Sequence, residues 1–220
     1  MARLIVEQIV SADGTAADAE GGMSFLTPES TGGEADQEQL RRLSGLSAIV
    51  LGANTYRIFA PYWPTASEED DPIAGLINRL PKHVISNGLD AAPWGDYTPA
   101  SIERGDAVDS LRRLKAAYPG EIILWGSLRL ADAAFLAGEV DVLRLRILPS
   151  ILGGGRGVVP EALPVTPLRL VSSSIHAGGQ VALEYEVGAG DRTRRAASPP
   201  QPPPPAAPPR TSPSSWRRCR

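Results

Sequence analysis

One stretch constrains this chain more than any other: Glu121-Ile-Ile-Leu-Trp-Gly-Ser-Leu-Arg-Leu-Ala-Asp-Ala-Ala-Phe-Leu-Ala-Gly138. Ile122, Ile123, Leu124 and Trp125 form a short apolar run with β-branched members, the pattern of a strand buried on both faces. Gly126 follows, where the backbone can turn sharply or approach a ligand. Ser127 stands in the N-cap position of a helix on which Leu128, Ala131 and Phe135 recur at helical spacing until Gly138. Strand, glycine turn and helix start together leave free backbone N–H groups and a positive dipole end at the strand's carboxyl edge, which suits an anion such as phosphate. The same geometry occurs in α/β proteins that bind nothing there, and no full dinucleotide or P-loop fingerprint is present. The rest of the chain must decide.

Strands and helices alternate up to residue 138. Residues 3–10 read as a first strand, broken by Ser11-Ala-Asp-Gly14. From Thr15 to Glu34 the sequence has no period, and a loop of that length in a compact domain reads as a lid. A helix is expected from Asp36 to Leu46, a buried strand from Ser47 to Gly52, and a short helix from Ala53 to Ala60. An aromatic loop, Pro61-Tyr-Trp-Pro64, and a short helix over Asp71–Asn78 come next. Lys82–Ser86 is a strand, Thr98–Glu103 a weaker one, and Asp106–Ala117 an amphipathic helix. After the central stretch, Val140–Leu148 alternates as a strand, followed by the glycine-dense loop Pro149–Gly157. Leu168–Ile175 and Gln180–Val187 flank His176-Ala-Gly-Gly179 as a hairpin. The fold class is therefore α/β: a mixed sheet, largely parallel, with helices on both faces and a C-terminal antiparallel hairpin. Ligands of such sheets collect beyond the carboxyl ends of the strands, here at Asp13, Gly52, Ser86 and Trp125-Gly126.

Composition narrows the function. With 42% apolar and 21% charged residues, the chain can support a sizeable core. No stretch reads as a membrane span or a secretory signal, so no membrane partner is expected and the cytoplasm is the expected compartment. The single Cys219 and the two histidines, His83 and His176, argue against a metal centre. Charge is split: residues from Gly188 onward hold seven arginines and one acid, which leaves the first 187 residues at net −9. An acidic body speaks against nucleic-acid binding. The expected domains are an α/β body over 1–187 and a disordered Pro/Arg-rich tail over 188–220, with Ser198–Pro209 polyproline-like. The tail also leaves room for an adaptor role.

In order and spacing, Leu4-Ile-Val, Ser11-Ala-Asp-Gly14, Leu51-Gly-Ala-Asn-Thr-Tyr56, Lys82-His-Val-Ile-Ser86, Leu124-Trp-Gly-Ser127 and Leu143–Gly153 resemble the dihydrofolate-reductase-like family. That family includes the reductase domain of the bifunctional riboflavin-biosynthesis deaminase/reductase, and the likeness spans about residues 2–187. It implies an NADPH-dependent reductase, usually a homodimer. Gly52 and Thr55 match the positions at the cofactor phosphates, and Ser86 the strand end near the adenosine ribose phosphate. Gly126, Ser127 and Leu128 match the glycine turn and helix start under the pyrophosphate. Asp13 and Gly14 match the loop over nicotinamide and substrate. The chain departs from the pattern at Ala53 and at Asn87-Gly88, where the family often carries cations, and at Trp125, which precedes a single glycine. Missing cations leave NADH open beside NADPH.

The implied reaction is hydride transfer to a small heteroaromatic or ribityl-type substrate, similar to 5-amino-6-(5-phosphoribosylamino)uracil reduction. Asp13 reads first as a turn residue and second as a catalytic proton donor or water-orienting group. Trp63 and Trp125, with Gly14, are candidates for the substrate pocket, since a tryptophan can stack on a planar ring. Tyr56 reads as core. The alternative reading is a non-catalytic nucleotide-binding or interaction module on the same fold.

Overall fold

The computed structural model describes residues 1–26, 40–69, 71–176 and 178–188. Among the described residues there are ten strands: β1 (Arg3–Ser11), β2 (Thr15–Ala17), β3 (Leu46–Gly52), β4 (Lys82–Ile85), β5 (Ser101–Glu103), β6 (Glu121–Trp125), β7 (Val142–Leu148), β8 (Arg156–Gly157), β9 (Leu168–Ile175) and β10 (Val181–Val187). The helices with both ends among the described residues are α1 (Ala53–Tyr62), α2 (Ala74–Arg79), α3 (Ala107–Ala117) and α4 (Leu128–Leu136). Eight strands form one sheet in the order β5-β4-β3-β6-β1-β7-β10-β9. The pairs from β5 through to β7 are parallel, and β10 runs antiparallel to both β7 and β9. This is the mixed sheet expected from the sequence.

Alternation places successive strand residues on opposite faces. Leu4, Val6, Val50, Ile122 and Leu124 join Leu111 and Leu114 of α3 and Leu130, Ala131 and Phe135 of α4 in one core. Ile5, Ile49, Leu51, Ile123 and Trp125 join Leu43, Tyr56 of α1 and Ile77 of α2 in the other. The central strand β6 is buried on both faces, so each of its apolar side chains contributes on the order of 1.5–3 kcal/mol.

Several boundaries differ from expectation for local reasons. Helix α1 runs through Pro61, which forfeits the bond an N–H there would make to the Arg57 carbonyl, and Trp63–Thr65 continue as a 3-10 turn. Helix α2 starts three residues later than expected and ends at Arg79, because Pro81 holds Leu80 extended. Residues 40–43 are helical and Leu46 begins β3; residues 36–39 of the expected helix lie outside the described residues. The expected lid is part strand: Thr15–Ala17 pairs antiparallel with Arg156–Gly157, while residues 27–34 lie outside the described residues. The expected tail does too, except Gly188.

Helix α3 begins as its sequence dictates. Asp106 accepts from the Val108 and Asp109 amides at 2.9 and 3.0 Å, satisfying two orphan donors. Asp106→Ala is expected to cost about 1 kcal/mol, read as a lower urea midpoint at unchanged slope.

Candidate active site

Adjacent strands β3 and β6 end side by side, and each leads straight into a helix. Neither α1 nor α4 has a side-chain N-cap or an acid in its first turn. Two uncapped helix N-termini thus point toward one carboxyl edge, and nothing local neutralises their dipoles.

The strand ends are tied to each other. Ser127 Oγ accepts from the Gly52 amide at 2.6 Å and lies 2.9 Å from Thr55 Oγ1, which in turn accepts from the Ser127 amide at 2.9 Å. Ser127 therefore does not cap its own helix; its side chain reaches across to β3. It adopts φ 49°, ψ 60°, left-handed geometry for a residue with a Cβ, and these three bonds hold it there. Of the two hydroxyl protons, one is used in the Ser127–Thr55 bond and the other is left for an outside acceptor.

The glycines serve this tie. A Cβ on Gly52 would stand 2.4 Å from Ser127 Oγ, and one on Gly126 would stand 2.7 Å from Thr55 Oγ1. Gly126 also has φ +58°, and its carbonyl accepts from buried Gln8 Nε2 at 2.9 Å. Leu128 opens α4, half-buried, and exposed Arg129 follows in the same first turn.

Ser86 lies one strand further out, its amide on the Glu103 carbonyl and its Oγ accepting from Gly88. Arg104, from the end of β5, donates to the carbonyls of Asn87 and Leu89 at 3.0 and 2.6 Å. A cation thus stands beside the turn where sequence reading found none. Only the β4–β5 pairing brings it there, so no local motif announced it.

Asp13 accepts from Ser11 Oγ at 2.5 Å and from the Gly153 amide at 2.8 Å. The Ser11 hydroxyl foremost, and then the Gly153 amide, hold its carboxyl at about 2. At neutral pH it is an acceptor that pins the glycine loop to the end of β1. A group held low keeps its tie above the ordinary carboxylate range and loses it as pH falls toward 2. Asp13→Asn is expected to accelerate hydrogen exchange at the Leu152 and Gly153 amides at neutral pH. Arg156 and Asp132 of α4 pair to hold the other side of that loop. A Cβ on Gly14 would meet nothing within 4 Å, so the space before it is open.

The aromatic candidates are linked through Phe59, whose ring lies 5.9 Å from Trp63 and 6.1 Å from Trp125. Trp125 is itself buried, its indole N–H donating to the carboxylate of buried Glu7 at 3.1 Å. Tyr56 is core, its hydroxyl donating to the Pro93 carbonyl. Glu7 went unremarked in the sequence, where it looks like any polar member of a strand.

The RibD C-terminal domain family model matches residues 2–182. No curated protein matches the sequence. Among solved structures, a Shewanella sp. PV-4 protein provisionally assigned to riboflavin biosynthesis is similar with a TM-score of 0.64 at 19% identity, over 85% of this chain and 99% of that one. The Thermotoga maritima diaminohydroxyphosphoribosylaminopyrimidine deaminase/5-amino-6-(5-phosphoribosylamino)uracil reductase gives 0.59 at 15%, over 84% of this chain and 56% of that one. Dihydrofolate reductase from Enterococcus faecalis, complexed with NADP(H), gives 0.54 at 12%, over 84% and 96%. The sheet is thus dihydrofolate-reductase-like, and with a family match running from β1 into β10 the chain belongs to the RibD C-terminal domain family.

Proposed function

We propose that this protein is a nicotinamide-nucleotide-dependent reductase of the riboflavin-biosynthesis type. The observation that carries the reading is the pair of uncapped helix N-termini locked together by Gly52, Thr55, Gly126 and Ser127. Those residues fit a dinucleotide diphosphate: first-turn amides at Leu128 and Arg129, one spare hydroxyl proton and no competing acid. The nicotinamide, when bound, supplies the hydride. Gly14 leaves room above β1, and the Asp13-pinned glycine loop borders that space. Asp13, ionised at neutral pH, orients water, and the proton that accompanies the hydride to a carbonyl or imine comes from solvent. Trp63 forms the partly exposed wall of the substrate pocket, with Trp125 buried behind it.

NADPH is the proposed cofactor. Ser86 sits at the ribose phosphate position, and Arg104 supplies the cation that Ala53 and Asn87 do not. Arg104→Ala is expected to weaken NADPH roughly tenfold while leaving NADH nearly unchanged, the loss of one charge-assisted bond to a 2′-phosphate. Equal weakening of both would remove Arg104 from that role. Small-molecule turnover needs no nucleic acid or membrane, and among the described residues no helix is long and apolar enough to cross a membrane. A homodimer belongs to the same proposal: Leu168, Leu170, Val171 and Ile175 are exposed on edge strand β9. Sedimentation of the full chain at a dimer mass is the expected result.

The direct test is NADPH oxidation by the purified chain with 5-amino-6-(5-phosphoribosylamino)uracil, the substrate named for the Thermotoga relative. Substrate-dependent oxidation is expected. Tight NADPH binding without oxidation, by this substrate or related ketones and imines, would favour the non-catalytic nucleotide-binding module.

A further inference from the structure

Strands β3, β4, β5 and β6 run parallel, so all four begin on the side opposite the ends that carry Gly52, Ser86 and Gly126. At that amino edge lies a cavity of about 170 Å³, between the starts of β4 and β5, the end of α2 and the residue after α3. An engineered cavity of about 150 Å³ takes one benzene, so this one has room for a single ring and none for a nucleotide.

Its walls are largely fixed. Pro81, Pro99 and the Tyr118 ring supply apolar surface, and neither proline brings a backbone N–H, so polar recognition falls to side chains. The Glu103 carboxylate accepts from His83 Nδ1 at 2.9 Å, and in the neutral ring Nε2 accepts from the Tyr118 hydroxyl at 2.7 Å. With both nitrogens used, imidazole and phenol hold one position and form a preorganised face. Lys82 is also spent, its Nζ donating to three backbone carbonyls.

Three lining groups remain available: the hydroxyls of Thr98 and Ser101 and the guanidinium of Arg79. Neither hydroxyl makes a hydrogen bond among the described residues. Ser101 stands in register with His83, which puts the two side chains on one face of the sheet. Arg79 donates from Nη1 to Glu68 at 3.3 Å, and the two side chains are 66% and 64% exposed. A surface pair of that kind contributes little, so the guanidinium can exchange it for a ligand. No carboxylate is among the lining residues. Two hydroxyl donors, one planar cation and apolar walls are matched by an oxyanion carried on a ring.

We propose that this cavity is a second small-molecule site, which takes a single-ring organic carboxylate. The ring packs against Pro81, Pro99 and Tyr118, and the carboxylate accepts from Arg79, Thr98 and Ser101. The site lies on the edge of the sheet away from the nucleotide, and it stands whether or not the reductase reading holds.

The test titrates the full chain, free and in the presence of NADPH, with benzoate, benzamide and inorganic phosphate, following backbone amide resonances. Benzoate should bind saturably in both cases, at least about tenfold more tightly than neutral benzamide or ringless phosphate. Its shifts should centre on His83, Ser101 and Tyr118 and spare Gly126, Ser127 and Leu128. Arg79→Gln should weaken benzoate about tenfold, and Arg79→Lys should restore part of the loss. Ser101→Leu, which fills the cavity from an exposed position, should abolish binding. NADPH affinity and melting temperature should be unchanged in all three variants. Absence of benzoate binding, benzamide or phosphate binding as tightly as benzoate, shifts confined to the Gly126 turn, or unaltered benzoate affinity in Arg79→Gln or Ser101→Leu would overturn the proposal. Failure of NADPH itself to bind counts against the reductase reading alone, and the benzoate titration of the free chain still decides the role of the cavity.

Discussion

Gly126→Ala is expected to lower stability by about 3 kcal/mol and to abolish nucleotide binding. Two costs add. A residue with a Cβ at φ +58° gives up about 1–2 kcal/mol of backbone preference. Its Cβ also arrives 2.7 Å from Thr55 Oγ1, so the threonine must move and its bond to the Ser127 amide lengthens. A double-mutant cycle separates the two. Thr55→Ala in the Gly126→Ala background removes the crowded Oγ1 and Cγ2, leaving Cβ at 3.4 Å. It should therefore cost less than Thr55→Ala alone, with a coupling of about 1–2 kcal/mol by urea denaturation. Strict additivity would mean that the strand ends are not interlocked through these two residues.

Stability is expected to rise with pH between about 8 and 10, and Lys82 is the reason. Its side chain is buried at the start of β4, with Nζ donating to the carbonyls of Ile77, Asn78 and Leu80 and lying 5.0 Å above the ring of Trp94. Burial pulls its pKa down to about 8, whereas a free lysine titrates near ~10.4. Below about 8 both folded and unfolded chains hold the proton, and the folded state bears the full cost of the buried charge. Above it the folded chain releases the proton first, so the unfolded state binds more and stability grows with pH. Over this window the gain is about 2 kcal/mol. Urea midpoints should climb for wild type and stay flat for Lys82→Met. Parallel curves for the two proteins would assign the pH dependence to other groups.

What the sequence revealed depended on how local the signal was. Strands β1, β3, β6 and β7 are apolar or alternating runs, and Gly52, Gly126 and Gly138 punctuate the helices beside them, so element order and fold class could be read directly. Strands β2 and β8 have three and two residues, too few to carry a period, and exist only because the glycine loop returns over the end of β1. Trp94 was invisible as core. It is fully buried in a loop because Asn78, sixteen residues earlier, accepts its indole N–H at 2.7 Å.

The site shows the same division. Gly52 and Gly126 were identified from strand ends, Ser127 from the helix start and Thr55 from the family resemblance, and they do meet. The reason they meet was not legible: Ser127 reads as an N-cap and instead bridges to β3, a contact 75 residues away in the chain. Glu7 and Arg104 are ordinary polar letters until pairing decides what lies beside each. Glu7 faces Arg144 and Trp125, and Arg104 reaches the turn after β4.

The central claim is that a nicotinamide dinucleotide lies across the ends of β3 and β6. Titration of the full chain with NADPH and with NADH, following tryptophan emission and energy transfer to the nicotinamide, tests it most directly. Trp125 precedes Gly126 and meets Trp63 through the tilted ring of Phe59, so an occupied site should quench strongly. Saturable binding that is lost in Gly126→Ala, with NADPH the tighter ligand, is the predicted result. A folded chain whose emission responds to neither nucleotide would contradict the account.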